Sequence, residues 1–569
     1  MTSPVERITS TATVGGSSVD AVVVWEVESE SDDRVVYLGT GAYPGLGLSL
    51  RARLDIRDTG EHLLTHTLIW TESDAVIDRL TVTCGGASQV LVRQAVDTSV
   101  DGDVATLITR RIDWQPSTLL SQVPEDWADQ LDPAIRAERE ALVVDAAGMA
   151  MTHDLAYSLE GSAQWIEPNR PALDAHSTPS WSRAGLMPLA ADCGDLEELF
   201  DAWLTEYRVP LGHPDVASAY DHPTLEGWHV PEKHTLTESG IWPNWKRWWG
   251  ASYGRLWWLI LHWWRTGDAT VLTECREQVR LITDQVIQDA DATNAQRGTV
   301  RSCIGNMPTA APTPSPHGGH GSFLALSLLL WYRITGDRRV ADALTNLHHH
   351  ALWWLGYANT NYEAGTDEWL RVLTWKDPAA WAIHCAALNG FSSSPELVST
   401  AQSALERLFD PEEPHGLGES VWFALDAPEY RTATYKIDAT ITTLWQLHRM
   451  GWDTKDAAIS ASRWAKSNTY VGGTSDPVGY QSHRGWWLAE LYRETGEGLP
   501  EIQALLAAAA TVLSDYNALN ENEKGAALFA TSGRPDNGWP AIPGSGLTPE
   551  TWALSSVALS LPAAACIEG

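Results

Sequence analysis

A recurring helix ending constrains the fold of this chain more than any other feature of its sequence. Three strong copies and one weaker copy read Trp263-Trp264-Arg265-Thr266-Gly267-Asp268, Trp331-Tyr332-Arg333-Ile334-Thr335-Gly336-Asp337, Leu491-Tyr492-Arg493-Glu494-Thr495-Gly496-Glu497 and Leu447-His448-Arg449-Met450-Gly451-Trp452-Asp453. Glycine just past a helix takes a left-handed conformation without a Cβ clash, and the acidic residue after it can cap the next helix. The repeated ending therefore predicts pairs of α-helices joined by tight turns.

The copies are spaced irregularly: when the weaker one is included, two of the three intervals between neighbouring copies fall within about 45–70 residues, which suits helical hairpins with loops between them. From about residue 195 onward, paired amphipathic stretches alternate with Gly-centred breaks. We interpret this part as an (α/α)6 toroid, with a linear α-solenoid as the alternative. The long loops rich in Gly, Pro and His favour the toroid, since an open repeat array rarely needs them.

The N-terminal part has the composition of β-strands, with β-branched runs separated by Gly, Ser and Asp turns. The predicted strands are Val22–Val27, Val35–Leu38, Leu63–Trp70, Val76–Thr83 and Gln89–Val96, with strand character again at 145–160. A connecting helix is predicted at Asp126–Val144. The sequence thus predicts an α+β multidomain protein: a β-sandwich or barrel-like domain (1–160), a linker region (161–195) and the toroid (196–569).

The charge balance limits the partners of this chain. It has 73 acidic and 39 basic residues, with a formal net charge of −34. Such a surface repels nucleic acid and anionic lipid, so neither is an expected partner. No apolar run approaches the roughly 20 residues that span a membrane. The N-terminus lacks the apolar core of a secretory signal, and six scattered cysteines suit a reducing compartment, so we expect a cytoplasmic protein.

Tryptophan is the most unusual component, with 30 Trp against 6 Phe. Indole rings stack on sugar faces and also fill helix interfaces. The loop Tyr220–Gly254 gathers rings, imidazoles and cations, and a Lys or Arg beside a sugar-binding ring can hold a carboxylate. Its candidate residues are His229, His234, Trp242, Asn244, Trp245, Lys246, Arg247, Trp248 and Tyr253. A packed structural loop is the alternative interpretation.

A second loop, Gly298–Ser322, contains Arg301 and ends in His317-Gly318-Gly319-His320-Gly321 just before a predicted helix. The positive end of a helix keeps an imidazole neutral, as a general base requires. A tight turn with hydrogen-bonded histidines is the alternative. Shorter candidate runs, each of which can also be structural, are Trp375-Lys376-Asp377, Tyr435-Lys436 and Tyr480-Gln481-Ser482-His483-Arg484.

One stretch of the chain resembles a known family. Gly319-His320-Gly321-Ser322-Phe323, followed by the apolar run to Tyr332-Arg333-Ile334-Thr335-Gly336-Asp337-Arg338, resembles a Gly-His, apolar helix and Tyr-x-x-Thr-Gly-Asp pattern. That pattern belongs to the exo-rhamnogalacturonan lyase-like proteins, polysaccharide lyase family 26 and its bacterial relatives. Gly240-Ile241-Trp242-Pro243-Asn244-Trp245 stands in the same order upstream, although Lys246-Arg247 follows where the family has Gly-Asp.

The resemblance implies β-elimination at a uronic acid of an oligosaccharide or polysaccharide. A cation then neutralises the carboxylate and acidifies the C5 proton, and a Tyr or neutral His removes that proton. On this interpretation Lys246, Arg247 and Arg484 bind the carboxylate. The acid and base candidates are His317, His320, Tyr253 and His483. The sugar platform is Trp242, Trp245 and Trp248, and the other substrate-binding candidates are His229, His234, Asn244, Arg301, Lys376 and Tyr480.

Two other functions stay open. A glycoside hydrolase on the same toroid needs two carboxylates about 5–10 Å apart, for which the candidates are Asp221, Glu226, Glu238 and Asp377. A non-enzymatic sugar-binding protein needs only the aromatic cleft. No cofactor is expected; a divalent cation remains an alternative, although the His spacing fits no standard zinc pattern. The sequence does not indicate an oligomeric state.

Overall fold

The structure is a computed structural model that describes part of the chain. The described residues are 4–72, 76–93, 97–109, 111–112, 146–159, 162–165, 167–170, 185, 189–190, 193–197, 255–289, 297–300, 323–374, 378–408, 434–467, 484–518 and 563–567. They fall into two compact units. Those of the first unit lie within 1–168 and 279–314, and those of the second within 169–209, 246–278 and 315–569. The domain boundaries drawn from the sequence stay a prediction.

The first unit contains two antiparallel sheets, so the β-rich character of the N-terminal part is confirmed. A short 3-10 helix, Pro4–Arg7, precedes eleven described strands: β1 (Ile8–Val14), β2 (Ser17–Asp20), β3 (Val22–Ser31), β4 (Arg34–Tyr43), β5 (Leu48–Arg57), β6 (Glu61–Trp70), β7 (Arg79–Gly85), β8 (Gln89–Val92), β9 (Asp97–Asp101), β10 (Val104–Ile108) and β11 (Ala150–Ser158). The five-stranded sheet has the order β2-β1-β7-β10-β9, and the six-stranded sheet has the order β3-β4-β5-β6-β11-β8.

The strands form where β-branched and aromatic residues alternate with polar ones. In β6, Leu64, Leu68 and Trp70 are buried in the core that the two sheets share, while Thr65, Thr67 and Ile69 point to the opposite face. The predicted strand Val76–Thr83 begins only at Arg79, because Ile77 makes an isolated bridge to Ile112 in place of a ladder. The predicted helix Asp126–Val144 lies outside the described residues.

The first unit also includes a segment from beyond residue 278. A π-helical turn, Ile282–Val286, carries the buried Asp284. This carboxylate accepts hydrogen bonds from the backbone N–H of Thr152 at 2.8 Å and from its hydroxyl at 2.9 Å. Arg280 binds Asp154 with two hydrogen bonds of 2.9 Å. Thr152 and Asp154, which are two residues apart on β11, are therefore bound to this segment through charged side chains.

The remaining elements are α-helices, which confirms the helical character of the chain after the β-rich part. The described helices are α1 (Arg255–Thr266), α2 (Ala269–Leu281), α3 (Phe323–Thr335), α4 (Arg338–Asn361), α5 (Asp367–Thr374), α6 (Pro378–Phe391), α7 (Pro395–Leu408), α8 (Thr434–Arg449), α9 (Lys455–Ser467), α10 (Arg484–Thr495) and α11 (Leu499–Asn517). Within the described residues, no helix is both long enough and apolar enough to cross a membrane.

The recurring ending forms the turn that the sequence predicts. Between α3 and α4, Gly336 has a φ of 66° and donates its N–H to the Tyr332 carbonyl at 2.8 Å. The Thr335 hydroxyl accepts the N–H of Asp337 at 3.1 Å. The Asp337 carboxylate then accepts the N–H of Arg339 at 3.0 Å and caps α4. Positive φ angles recur at the equivalent glycines, Gly267 and Gly496, so the glycine ending and the acidic cap are confirmed.

The helices divide into two kinds by burial. Helices α3, α6, α8 and α10 are buried on all sides over about two turns. Helix α1 is buried at every described side chain from Leu256 to Trp264. Helices α4, α7 and α9 bury one stripe only, as surface helices do; in α7 this stripe is Leu397, Ala401, Ala404, Leu405 and Leu408.

The buried helices of the second unit pack in series. Helix α1 contacts α3, α3 contacts α6, α6 contacts α8, and α8 contacts α10. The rings of Trp257 in α1 and Trp486 in α10 have centroids 6.4 Å apart, so the first and last members also meet. Four of the buried helices also pack on the helix that follows them in sequence: α3 on α4, α6 on α7, α8 on α9 and α10 on α11.

Candidate active site

The five buried helices are α1, α3, α6, α8 and α10, and the chain segments at their N-terminal and C-terminal ends differ in length. After each buried helix a short turn leads to the next helix: 267–268, 336–337, 392–394, 450–454 and 496–498. Before α3, α8 and α10 the chain has much longer connections, and the segment before α1 is also long in sequence. In sequence, the long stretches outside the described elements of this unit are therefore attached mainly at the N-terminal ends of the buried helices.

Tryptophan occupies the first turn of three buried helices. Trp257 is the third residue of α1, Trp381 the fourth of α6, and Trp486 and Trp487 the third and fourth of α10. All four are fully buried. The Trp381 ring stacks on His384 with centroids 6.1 Å apart, and its indole N–H has no hydrogen-bond acceptor among the described residues. A buried N–H of this kind can donate a hydrogen bond to a hydroxyl group or a water molecule.

Arg484 is the one predicted site residue whose side chain the structure describes. It begins α10, and its Nη2 donates to the Ala465 carbonyl of α9 at 3.1 Å. The guanidinium carbon lies 5.8 Å from the centroid of the Trp487 ring. These contacts fix the start of α10 and hold a positive charge at its N-terminal end. Carboxylate binding by Arg484 stays a prediction.

The other predicted residues lie outside the described part of the chain. They are the catalytic candidates Lys246, Arg247, Tyr253, His317, His320 and His483, and the substrate-binding candidates His229, His234, Trp242, Asn244, Trp245, Trp248, Arg301, Lys376 and Tyr480. The same holds for the hydrolase candidates Asp221, Glu226, Glu238 and Asp377. The structure therefore gives no distance between any two of these candidates.

Buried polar groups on α8 are functional candidates that the sequence analysis missed. Thr442 and Gln446 lie one turn apart on the same side of this helix and are 1 % exposed. The Thr442 hydroxyl and both amide atoms of Gln446 have no hydrogen-bond partner among the described residues. They belong to a helical run, 440–447, that is buried throughout although four of its eight residues are polar: Thr440, Thr442, Thr443 and Gln446. Hydroxyl and amide groups in such a place suit the hydroxyls of a sugar.

A buried carboxylate joins α8 to α10. Glu490 of α10 accepts two hydrogen bonds from the Arg449 Nη2, at 2.9 and 2.8 Å, and one from its Nε at 3.0 Å. Arg493 adds a contact of 3.2 Å to the same carboxylate. Both oxygens of Glu490 are thus bound to guanidinium groups. This arrangement suits a structural link between helices and leaves no oxygen to take a substrate proton.

A second group of titratable side chains lies in the core of the first unit. His66 and His153 face each other across β6 and β11, with ring centroids 6.3 Å apart. The Ser10 hydroxyl lies 2.9 Å from the His66 Nε2, while neither ring nitrogen of His153 has a partner among the described residues. Burial lowers the pKa of His66 to about 3. Burial also lowers the pKa of His153 to about 4, against the opposing effect of Asp154 and Asp284. Both rings are neutral at pH 7.

The described residues contain no group of three or more His, Cys, Asp or Glu side chains placed to hold a metal ion. The five described cysteines, Cys84, Cys193, Cys275, Cys385 and Cys566, are free thiols. Neither observation adds a cofactor site to the candidates above.

Comparison with known proteins adds no assignment. No family model matches the chain. No curated protein matches it either. The resemblance to the exo-rhamnogalacturonan lyase-like proteins therefore stays a prediction.

Proposed function

We propose that the second unit is an (α/α)6 toroid that acts as a polysaccharide or oligosaccharide lyase and cleaves a uronic-acid-containing glycan by β-elimination. Five helix pairs in a chain of short-turn hairpins support the toroid: α1/α2, α3/α4, α6/α7, α8/α9 and α10/α11. The series of buried helices, whose ends meet at Trp257 and Trp486, supports a ring over an open solenoid.

One observation carries the proposal. Every segment that the sequence analysis selected ends at, or begins, a buried helix. Tyr220–Gly254 precedes α1, Gly298–Ser322 precedes α3, Trp375-Lys376-Asp377 precedes α6, Tyr435-Lys436 opens α8, and Tyr480-Gln481-Ser482-His483-Arg484 leads into α10. Because successive hairpins point the buried helices in one direction, we propose that these five segments meet at one end of the ring.

The electrostatics of that end favour an anionic substrate. The N-terminal end of a helix carries about half a positive charge. Five such ends on one side of a ring, with Arg484 at the start of α10, attract a carboxylate even though the whole chain has a net charge of −34. The first-turn tryptophans, Trp257, Trp381 and Trp486, form a buried aromatic layer at the same end.

The proposed reaction uses three kinds of residue. Lys246, Arg247 and Arg484 neutralise the uronate carboxylate, which lowers the pKa of the C5 carbon acid. His320, His317, His483 or Tyr253 takes the C5 proton. The electron pair forms the C4–C5 double bond, the C4–O bond breaks, and a second group returns a proton to the departing oxygen. Trp242, Trp245 and Trp248 hold the sugar ring. No water is consumed.

The test is incubation with a panel of uronic-acid-containing oligosaccharides, including fragments of rhamnogalacturonan. The proposal expects a rise in ultraviolet absorbance from the double bond conjugated to the carboxylate. At least one of His320→Ala, His317→Ala, His483→Ala and Tyr253→Phe should abolish that rise. His348→Ala is the control, because His348 lies on α4 and binds Ser394. New reducing ends without the absorbance would indicate a glycoside hydrolase, and binding without any product would indicate a sugar-binding protein. Either result refutes the lyase.

Arg484 offers a test at a described residue. Arg484→Lys keeps the positive charge at the start of α10, whereas Arg484→Gln removes it. If the charge binds the carboxylate, the Gln variant should lose more kcat/KM than the Lys variant, and the loss should be larger on a uronate than on its methyl ester. Equal losses for both variants, and on both substrates, would assign Arg484 a structural role at the start of α10.

A further inference from the structure

Two histidines lie opposite each other in the core of the first unit. His66 of β6 and His153 of β11 are register partners in the six-stranded sheet, and both are 0 % exposed. Side chains alternate along a strand, so His66 points to the same face as the core residues Leu64 and Leu68, and His153 points to the same face as Leu155. Both imidazoles therefore lie in the apolar layer between the two sheets, where each polar atom needs a hydrogen-bond partner.

A chain of hydrogen bonds leads to His66. The Tyr43 hydroxyl of β4 bonds to the Ser10 hydroxyl of β1, which lies 2.9 Å from the His66 Nε2. If Nε2 carried the imidazole proton, Ser10 would donate to Tyr43, and the buried Tyr43 proton would have no acceptor among the described residues. With Tyr43 donating to Ser10 and Ser10 donating to Nε2, every group of this chain is paired. The proton of the neutral His66 ring then lies on Nδ1.

Three ring nitrogens of this pair have no hydrogen-bond partner among the described residues: Nδ1 of His66, and Nδ1 and Nε2 of His153. Burial lowers the pKa of both imidazoles, so each ring is neutral and has one N–H donor and one acceptor nitrogen. The rings do not bond to each other directly; their centroids lie 6.3 Å apart and their planes are tilted by 51°. Buried donors and acceptors that stay unpaired destabilise a fold, so these nitrogens indicate a bound molecule.

We propose that internal water binds between His66 and His153 and extends the chain of hydrogen bonds from Ser10 to β11. Two hydrogen bonds of about 2.8–3.0 Å in series reach about 6 Å, which suits rings whose centroids are 6.3 Å apart. The water accepts the Nδ1 proton of His66 and donates to one nitrogen of His153. A second water on the other nitrogen of His153 pairs the third atom, since buried water binds polar groups that otherwise lack partners.

The charged groups near the pair favour water over a metal ion. Asp154 follows His153 on β11 and therefore points to the opposite face of the sheet, where Arg280 binds it. The Asp284 carboxylate accepts two hydrogen bonds from Thr152, whose side chain lies on the same face as that of Asp154. Among the described residues, a cation between the imidazoles would thus have no anionic ligand, and an unpaired charge in an apolar core is costly.

Bound in this way, the water links four strands of the two sheets: β4 at Tyr43, β1 at Ser10, β6 at His66 and β11 at His153. Strand β1 belongs to the five-stranded sheet and the other three belong to the six-stranded sheet. Apolar contacts between the sheets are non-directional, whereas a polar network whose members are all satisfied favours one arrangement of a core. The internal water thus helps to fix how β1 lies against the six-stranded sheet.

The first test is urea unfolding at about pH 8, where both imidazoles are uncharged in the folded and in the unfolded chain. His153→Leu keeps the approximate size of the side chain but removes the partner of the bridging water, so we expect the urea midpoint of the first unit to fall. His153→Gln keeps a donor and an acceptor and should lose less. If no water were bound, His153→Leu would remove an unpaired buried group, and the midpoint would rise. A rise or no change for His153→Leu, or equal falls for both variants, overturns the proposal.

The second test identifies the bound molecule in a high-resolution crystal structure of the full chain. We expect an oxygen atom within about 3.2 Å of the His66 Nδ1 and of one His153 nitrogen, and its loss in His153→Leu. Zinc chloride alone is the probe for the competing ligand: a peak of anomalous scattering between the rings, or a zinc-dependent rise in the urea midpoint, would assign the site to a metal ion. Either that result or the absence of density between the rings overturns the proposal.

Discussion

The buried carboxylate of Glu490 allows a quantitative test of the helical packing. Glu490→Gln keeps the size of the side chain and one carbonyl oxygen but removes the negative charge that Glu490 places beside Arg449 and Arg493. The side chain of Glu490 has no exposure, and those of Arg449 and Arg493 keep 19 and 18 %. Removing one partner of a buried ion pair costs about 3–5 kcal/mol, and we expect the lower end because the two guanidinium groups keep some contact with water.

The assay is thermal unfolding followed by far-ultraviolet circular dichroism, which reports the helices. For a cooperative unit of roughly 300 residues, 3 kcal/mol corresponds to a fall in Tm of about 5 °C. Glu494→Gln, on the same helix, is the matched control, because its pair with Lys455 is partly exposed and such pairs contribute about 0–1 kcal/mol. Arg449→Met combined with Glu490→Gln should restore part of the lost stability. Equal Tm values for Glu490→Gln and Glu494→Gln would refute the reasoning.

Two further outcomes follow from the described residues. The free energy of unfolding of the first unit should fall as the pH drops from 6.5 toward 4, by up to about 2.7 kcal/mol per pH unit, because buried His66 and His153 have pKa values lowered to about 3 and about 4 and bind protons only on unfolding. Urea titrations between pH 7 and 4.5 measure this slope, and His153→Leu should roughly halve it; an unchanged slope would contradict the buried neutral imidazole. Gly336→Ala should lose about 1–2 kcal/mol because a φ of 66° strains any Cβ, whereas Gly356→Ala, in an open helical position, should gain about 0.5–1 kcal/mol. If Gly336→Ala and Gly356→Ala both raised the denaturation midpoint, or both lowered it, the turn assignment would be refuted.

Local features were predictable because short-range contacts determine them. The ending around Gly336 depends on hydrogen bonds within eight residues, Tyr332 to Arg339, and each donor and acceptor can be identified in the sequence. The strands of the first unit follow in the same way from alternating burial, as in Leu64, Leu68 and Trp70. Both features are confirmed.

Long-range pairings could not be predicted because many residues offer the same chemistry. The chain has 73 acidic residues, and nothing near Glu490 in the sequence marks it as the partner of Arg449, 41 residues away. Asp284 binds β11 across an even longer separation, through a π-helical turn that no residue pattern announced. For the candidate site the limit is similar: composition selected the segments before the buried helices, but only Arg484 among the predicted residues has described contacts.

The most direct test of the lyase assignment is the mass balance of the reaction on a defined uronic-acid-containing oligosaccharide. The account predicts two products whose masses add up to that of the substrate, one of them with an unsaturated uronate that absorbs in the ultraviolet. Products that together are heavier than the substrate by one water molecule, without this absorbance, would show hydrolysis and contradict the account.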